Sequence, residues 1–143
     1  MKFMLDSNVL RSIAANDAGF WRIIEKVTGY GYDNLCLSAI VAAELHKAAN
    51  NHKLTRKERD TIKAWMELLK IVPFGADAAQ VSGELAAKHS RLGGAVTKPD
   101  YMIAGHAVQL GCVIVTNNIK HFEGFPSLKI QNWIKPATPN PTD

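Results

Sequence analysis

The stretch from Thr97 to Asn118 constrains this chain more than any other. It opens with Thr97, Lys98, Pro99 and Asp100, which fits a capped helix start with an acid complementing the helix dipole. An apolar helical run follows, then Gly111 as a stop, then the buried-strand pattern Val113, Ile114, Val115. Thr116, Asn117 and Asn118 close it as a polar cluster just beyond the strand. The N-terminus repeats that ending, because the apolar run from Lys2 to Leu5 gives way to Asp6, Ser7 and Asn8. Two strands that end in carboxylate and amide groups predict one shared polar site.

The rest of the chain supplies more short strands alternating with helices. Phe20, Ile23, Ile24 and Val27 share a helical face that Gly29 and Gly31 bring to an end. Leu35 to Leu37 reads as a strand, with Ser38 as the N-cap of a helix from Ala39 to Ala49. Thr55 and Glu58 form a capping box for a helix to about Leu69, and Pro73 favours extended chain before it. A further helix runs from about Ala76 to Arg91 and stops at Gly93 and Gly94. Glu123 to Pro126 is a turn, and Leu128 to Ile130 a last strand. The alternation predicts an α/β fold with a mainly parallel sheet, whose sites form beyond the carboxyl ends of its strands. With no internal repeat or linker, residues 1–135 read as one domain and 136–143, with two prolines, as a frayed tail.

Composition narrows the partners a little. Seventeen Lys and Arg against thirteen Asp and Glu give +4, which permits a nucleic-acid partner without requiring one. Cys36 and Cys112 match neither zinc spacing nor a disulfide framework, so they read as buried thiols in a reducing compartment. No run approaches the roughly 20 apolar residues of a membrane span, and there is no signal-peptide core. A cytoplasmic protein with no membrane partner is expected.

Four residues carry most of the chemical interest, and each has a plain structural reading. Asp6 caps a helix, although three cap residues in succession oversupply that need. Glu44 falls with Ile40, Val41, Leu45 and Ala48 inside an apolar stripe, where a carboxylate is costly unless paired or bound to a cation; its plain reading is a rim position beside His46 or Lys47. Asp100 fits a capping box but also shares a face with Ile103, Ala104 and Ala107. Asn118, like Thr116 and Asn117, can simply make a turn. His106 and His121 read as surface or satisfied histidines rather than ligands. Carboxylates gathered without bases would repel one another and call for a hard divalent cation, which suits phosphodiester hydrolysis.

These residues resemble the four signatures of PIN-domain nucleases: residues 4–10 around Asp6, residues 37–45 around Glu44, residues 99–107 around Asp100, and residues 115–122 around Asn118. With the ending Asn132-Trp133, the chain is similar to VapC-type toxins of type II toxin–antitoxin systems. The resemblance implies an α/β/α sandwich, a Mg²⁺- or Mn²⁺-dependent endoribonuclease, a homodimer, and a VapB-type antitoxin that blocks the active site. Asp6, Glu44 and Asp100 match the family's acidic residues and would hold the metal. Asn118 stands where many members have a fourth Asp, and would orient a water. Thr116 would bond a carboxylate or the phosphate. Ser7 stands where Thr is commoner, and His121 where close relatives have Glu. Ser7, Asn8, Lys98 and Asn117 are assigned to substrate binding. The basic helix with Arg56, Lys57, Arg59 and Lys63, together with Lys88, Arg91, Lys98 and Lys120, would steer the RNA backbone or form a merely solvated face. Two rivals differ in kind. One is a catalytically weak RNA-binding module on the same fold. The other is a phosphatase of the haloacid-dehalogenase type, which needs an Asp where Asn8 stands.

Overall fold

The computed structural model describes residues 2–90 and 98–134. Arg91, Gly93, Gly94, Thr97 and the tail lie outside the described residues, as does the side chain of Lys98. The chain alternates strand and helix as β1 (Phe3–Leu5), α1 (Ser7–Ala15), α2 (Phe20–Tyr30), β2 (Leu35–Ser38), α3 (Ala39–Ala49), α4 (Arg56–Leu68), β3 (Lys70–Val72), α5 (Ala76–Ser90), α6 (Lys98–Leu110), β4 (Val113–Val115) and β5 (Ile130–Gln131). Among the described residues five strands form one sheet in the order β3-β2-β1-β4-β5. Every pairing is parallel.

The central strand explains why the sheet is so apolar. Phe3, Met4 and Leu5 are all buried, because helices cover both faces and leave no side for a polar residue. β1 pairs with β2 through Phe3 opposite Leu35, and with β4 through Leu5 opposite Val115. That register brings Asp6 and Thr116, each one residue past its strand, to the same edge. The Asp6 amide N–H extends the ladder by donating to the Val115 carbonyl at 2.8 Å.

Several local expectations shift. The helix α2 runs through Gly29 and ends at Tyr30, where Gly31 at φ 84° releases the chain. The last strand is Ile130–Gln131 rather than Leu128 to Ile130, because Ile130 pairs with Ile114 and Gln131 with Val115. Lys129 contributes only its carbonyl, as acceptor for the Ile114 N–H. Residues Ile119–His121 form a 3-10 turn that periodicity did not reveal. The buried face of α3 includes Ala42 and Ala49 as well as Val41, Leu45 and Ala48. Ile40 is half-buried, so Glu44 stands at the margin of the stripe rather than within it. Cys36 and Cys112, read as buried thiols, are both buried and free, and they share a hydrogen bond that raises the proton affinity of Cys36 and lowers that of Cys112.

Candidate active site

Three elements converge beyond the carboxyl end of β1. Asp6 leaves the strand and caps α1, accepting from the Ser7 amide at 2.9 Å through Oδ1. Its other oxygen accepts from Thr116 Oγ1 at 2.8 Å and from Asn8 Nδ2 at 3.2 Å. Thr116 is fully buried, so its hydroxyl serves this small network alone: it also accepts from the Asn118 amide at 3.0 Å and from Asn8 Nδ2 at 3.3 Å. Asp6 is therefore held rigidly by donors from both strand ends.

Glu44 and Asp100 come from the flanking helices. Glu44 reaches the site from the middle of α3, whose Ser38 cap fixes the helix start by accepting from the Ile40 amide at 3.1 Å. Asp100 sits in the first turn of α6. Glu44 Oε1 and Asp100 Oδ2 are buried oxygens without a hydrogen-bond partner. Such orphans are uncommon in folded proteins and need a physical reason.

The electrostatics supply one. Burial pushes the Asp6 carboxyl above its ordinary range and Asp100 pushes it further, while Thr116, the Ser7 amide and His121 pull the other way. Burial also raises Glu44, with repulsion from Asp6 and Asp100 adding to it, against Ser7 and Lys47. Asp6 thus senses Asp100, and Glu44 senses both. Crowded, partly dehydrated acids with open lone pairs are what a hard divalent cation would satisfy. Among the described residues, no group of three His, Cys, Asp or Glu side chains is placed as it stands to hold a metal ion. The unpartnered oxygens of Glu44 and Asp100 would suit Mg²⁺ or Mn²⁺, ions that commonly keep several waters and use few carboxylates.

The other expected residues fall into place unevenly. Ser7 lies beside Glu44. Asn8 and Asn117 spend their amides internally: the Asn117 amide N–H donates to Asn8 Oδ1 at 3.1 Å, and Asn117 Nδ2 donates to the Asn8 carbonyl at 3.2 Å and to Ser12 Oγ at 3.0 Å. This clamp joins the ends of β1 and β4, and Ser12 is a member that the sequence did not signal. Asn118 is half-buried and caps the 3-10 turn. His106 is buried, with Nδ1 2.9 Å from Ser38 Oγ but Nε2 without a hydrogen-bond partner, and burial lowers its pKa. His121 is different. Its Nδ1 lies 3.1 Å from Asp100 Oδ2, placing it at the cluster rather than away from it. Two sequence signals pointed that way: the spacing from Asn118 to His121, one 3-10 turn, and the resemblance, which sets His121 where close relatives have Glu.

Known proteins share this arrangement of elements. A family model described as PIN domain matches residues 3–125. The chain is 30% identical over 133 residues to the tRNA(fMet)-specific endonuclease VapC of Salmonella typhimurium, covering 93% of this chain and 98% of that protein. It is 29% identical over 136 residues to Ribonuclease VapC2 of Rickettsia felis, covering 94% and 100%. In three dimensions it superposes on a chain in the crystal structure of DNA-bound VapBC from Salmonella typhimurium with a TM-score of 0.80 at 30% identity, over 93% of this chain and 98% of that one. A chain in the structure of VapBC2 from Rickettsia felis bound to a promoter DNA fragment gives 0.77 at 27% identity, over 93% and 99%.

Proposed function

The chain belongs to the PIN-domain family, and from that premise we propose that it is a Mg²⁺- or Mn²⁺-dependent endoribonuclease, the toxin of a toxin–antitoxin pair. The observation that carries this reading is the crowding of Asp6, Glu44 and Asp100 at one sheet edge, with raised proton affinity in Asp6 and Glu44 and orphaned oxygens on Glu44 and Asp100. The Rickettsia relative is named a ribonuclease, and the Salmonella relative a tRNA(fMet)-specific endonuclease. Structured RNA is the substrate class that follows for this chain.

Asp6, Glu44 and Asp100 would hold the cation, directly or through water. When bound, the cation neutralises charge on the phosphodiester and acidifies a water molecule for attack. Thr116 fixes the Asp6 carboxylate in one orientation, and Ser7 does the same for Glu44. The Asn8–Asn117 clamp keeps the ends of β1 and β4 together, so that these carboxylates keep their spacing. Asn118 orients the attacking water. Cleavage leaves a 3′-hydroxyl and a 5′-phosphate.

RNA approaches over a basic surface. Arg56, Arg59 and Lys63 line a shallow cavity of about 470 Å³ with His52. Arg59 Nη1 lies 3.1 Å from His52 Nδ1. The ion pair of Arg56 with Asp60, at 3.8 Å, is exposed and weak. These cations therefore remain available to phosphates.

A VapB-type antitoxin inhibits the enzyme, and two copies of the chain form the working unit. The antitoxin proposal rests on the relatives found as VapBC complexes and on a groove of about 440 Å³ between α1, α2 and α4. Phe20, Trp21, Ile24 and Trp65 line it, and Trp21 is 71% exposed. Apolar surface of this kind marks a docking site. Among the described residues no helix is long and apolar enough to cross a membrane.

The test is RNA cleavage by the purified chain with Mg²⁺ or Mn²⁺, wild type beside Asp6→Asn. Cleavage that disappears in the variant supports the proposal. Equal cleavage by both, or none by either across structured RNAs, overturns it in favour of the RNA-binding module.

A further inference from the structure

A cavity of about 320 Å³, the size of a small-ligand pocket, lies between α1 and α4. Its α1 wall is one helical face, Asn8, Arg11, Ser12 and Ala15, which starts just after Asp6 and runs about 10 Å along the helix. Asn8 Nδ2 also donates to Asp6 Oδ2 at 3.2 Å, so the cavity and the carboxylate cluster share a wall. Leu54 and the buried Ile62 give the cavity an apolar side. Its charged groups are Arg11, Asp17 and Glu58. Arg11 is exposed and, among the described residues, forms no ion pair with either acid. Asp17 commits Oδ1 to the Gly19 amide, and Glu58 commits Oε1 to the Thr55 cap. Each acid keeps its second oxygen for another donor.

Two acids against one cation turn a phosphate away and suit a neutral ligand rich in N–H donors. An unpaired nucleobase is such a ligand, read by hydrogen bonds to its Watson–Crick edge and by contact of its faces with flat or apolar groups. Among the four RNA bases, guanine alone sets two adjacent N–H donors beside a carbonyl on that edge. We infer that this cavity is a base subsite, which takes an unpaired guanine next to the cut phosphate of the RNA. The free oxygens of Asp17 and Glu58 accept from guanine N1–H and N2–H, and Arg11 donates to O6. Leu54 and Ile62 cover a face of the ring. The inference rests on the endoribonuclease reading above and gives it a base preference. The cavity around Arg56, Arg59 and Lys63 meets phosphates of any sequence; this one selects.

Nuclear magnetic resonance of the full-length chain in chelator, titrated with GMP, IMP, AMP, CMP and UMP, tests this apart from catalysis. All five carry the same phosphate, so binding through phosphate alone treats them alike. In wild type, GMP shifts the Arg11 Nε–H and Asn8 side-chain amide signals and binds about tenfold more tightly than UMP. IMP, which lacks the N2 amine, binds about fivefold more weakly than GMP. Glu58→Gln keeps the capping box yet loses the preference for GMP. Ala15→Phe, at an exposed position, fills the cavity and abolishes both shifts. Equal binding of all five nucleotides, or a preference for GMP that survives Ala15→Phe, overturns the inference. So does an Ala15→Phe protein that binds GMP as wild type does but escapes inhibition by the antitoxin, because the cavity then belongs to that partner. RNA cleavage by wild type alongside any of these results leaves the endoribonuclease reading standing. Selection of GMP by a wild-type chain that cuts no RNA supports the base subsite and removes the nuclease reading instead.

Discussion

Thr116 Oγ1 donates a 2.8 Å hydrogen bond to Asp6 Oδ2, linking the ends of two neighbouring parallel strands through fully buried atoms on the threonine side. The bond matters because it leaves Asp6 only one way to point. It also shows why a hydroxyl stands at the end of β4, where packing alone would accept valine.

Thr116→Val keeps the volume and removes the bond. The loss leaves a buried carboxylate oxygen short of a donor, which costs on the order of 1–3 kcal/mol. The variant is expected to unfold at lower denaturant concentration and to cleave RNA about ten- to a hundredfold more slowly, as for groups that orient metal ligands. Thr116→Ser restores most of both. A valine variant with wild-type cleavage would remove Thr116 from the site.

The carboxylates predict an unusual pH dependence. Asp6 and Glu44 have raised proton affinity in the folded chain, so the folded state holds protons that the unfolded state has already released. Without metal, stability should fall as pH rises from the ordinary carboxylate range through the raised values. Glu44→Gln removes one repelling charge and should raise the metal-free melting temperature by a few degrees at pH 7, while abolishing cleavage. Thermal melts at pH 4.5 and 7, with a chelator present, measure this. A variant less stable than wild type at pH 7 would contradict the crowding argument.

Metal should reverse that trend. Added Mn²⁺ or Mg²⁺ is expected to raise the melting temperature at pH 7, where the carboxylates are ionised, and to do much less at pH 4.5. A chelator should return the protein to the metal-free value and stop cleavage. Equal stabilisation at both pH values would place the bound ion elsewhere.

The groove proposed for the antitoxin is distinct from the proposed catalytic cluster. Trp21 lies in the groove between α1, α2 and α4, away from the three carboxylates. Trp21→Asp should leave RNA cleavage within about twofold of wild type yet weaken neutralisation by the antitoxin tenfold or more, as expected for an aromatic anchor. Cleavage assays with titrated antitoxin measure both effects. Unchanged inhibition would move the docking surface to another face.

Much of this site was legible in the chain, for reasons that individual residues make plain. Asp6 and Thr116 follow short apolar runs, and the strand ends of a parallel sheet must meet at one edge, so their proximity follows from the pattern. Ser38 and the Thr55–Glu58 box carry their meaning locally, and both caps form as expected. Glu44 was visible because a charge beside an apolar stripe breaks the period. His121 was flagged only by the resemblance and not by periodicity, because a 3-10 turn has no apolar rhythm and its contact with Asp100 spans 21 positions. Asn8 and Asn117 were equally opaque. Their amides could face substrate or each other, and only the register of β1 against β4 shows the clamp they make.

The last prediction concerns how α6 carries Asp100 to the site. Gly105 lies in the middle of that helix, and a methyl group there would come within 2.1 Å of Ser82 Oγ and 2.4 Å of Ser82 Cα on α5. The Ser82 hydroxyl is already committed, donating to the Ala78 carbonyl at 2.6 Å, so it cannot simply rotate away. The obstacle also includes backbone, which leaves separation of the two helices as the only relief. Gly105→Ala improves helix propensity by up to about 1 kcal/mol, but overpacking of this kind costs typically 1–3 kcal/mol and sometimes more. Net destabilisation is expected, with a lower melting temperature than wild type. Because α6 starts near Asp100, its displacement should also weaken Mn²⁺ binding. Ser82→Gly removes the hydroxyl and should partly rescue the double variant. A Gly105→Ala protein as stable as wild type would mean that α5 and α6 do not pack at this distance.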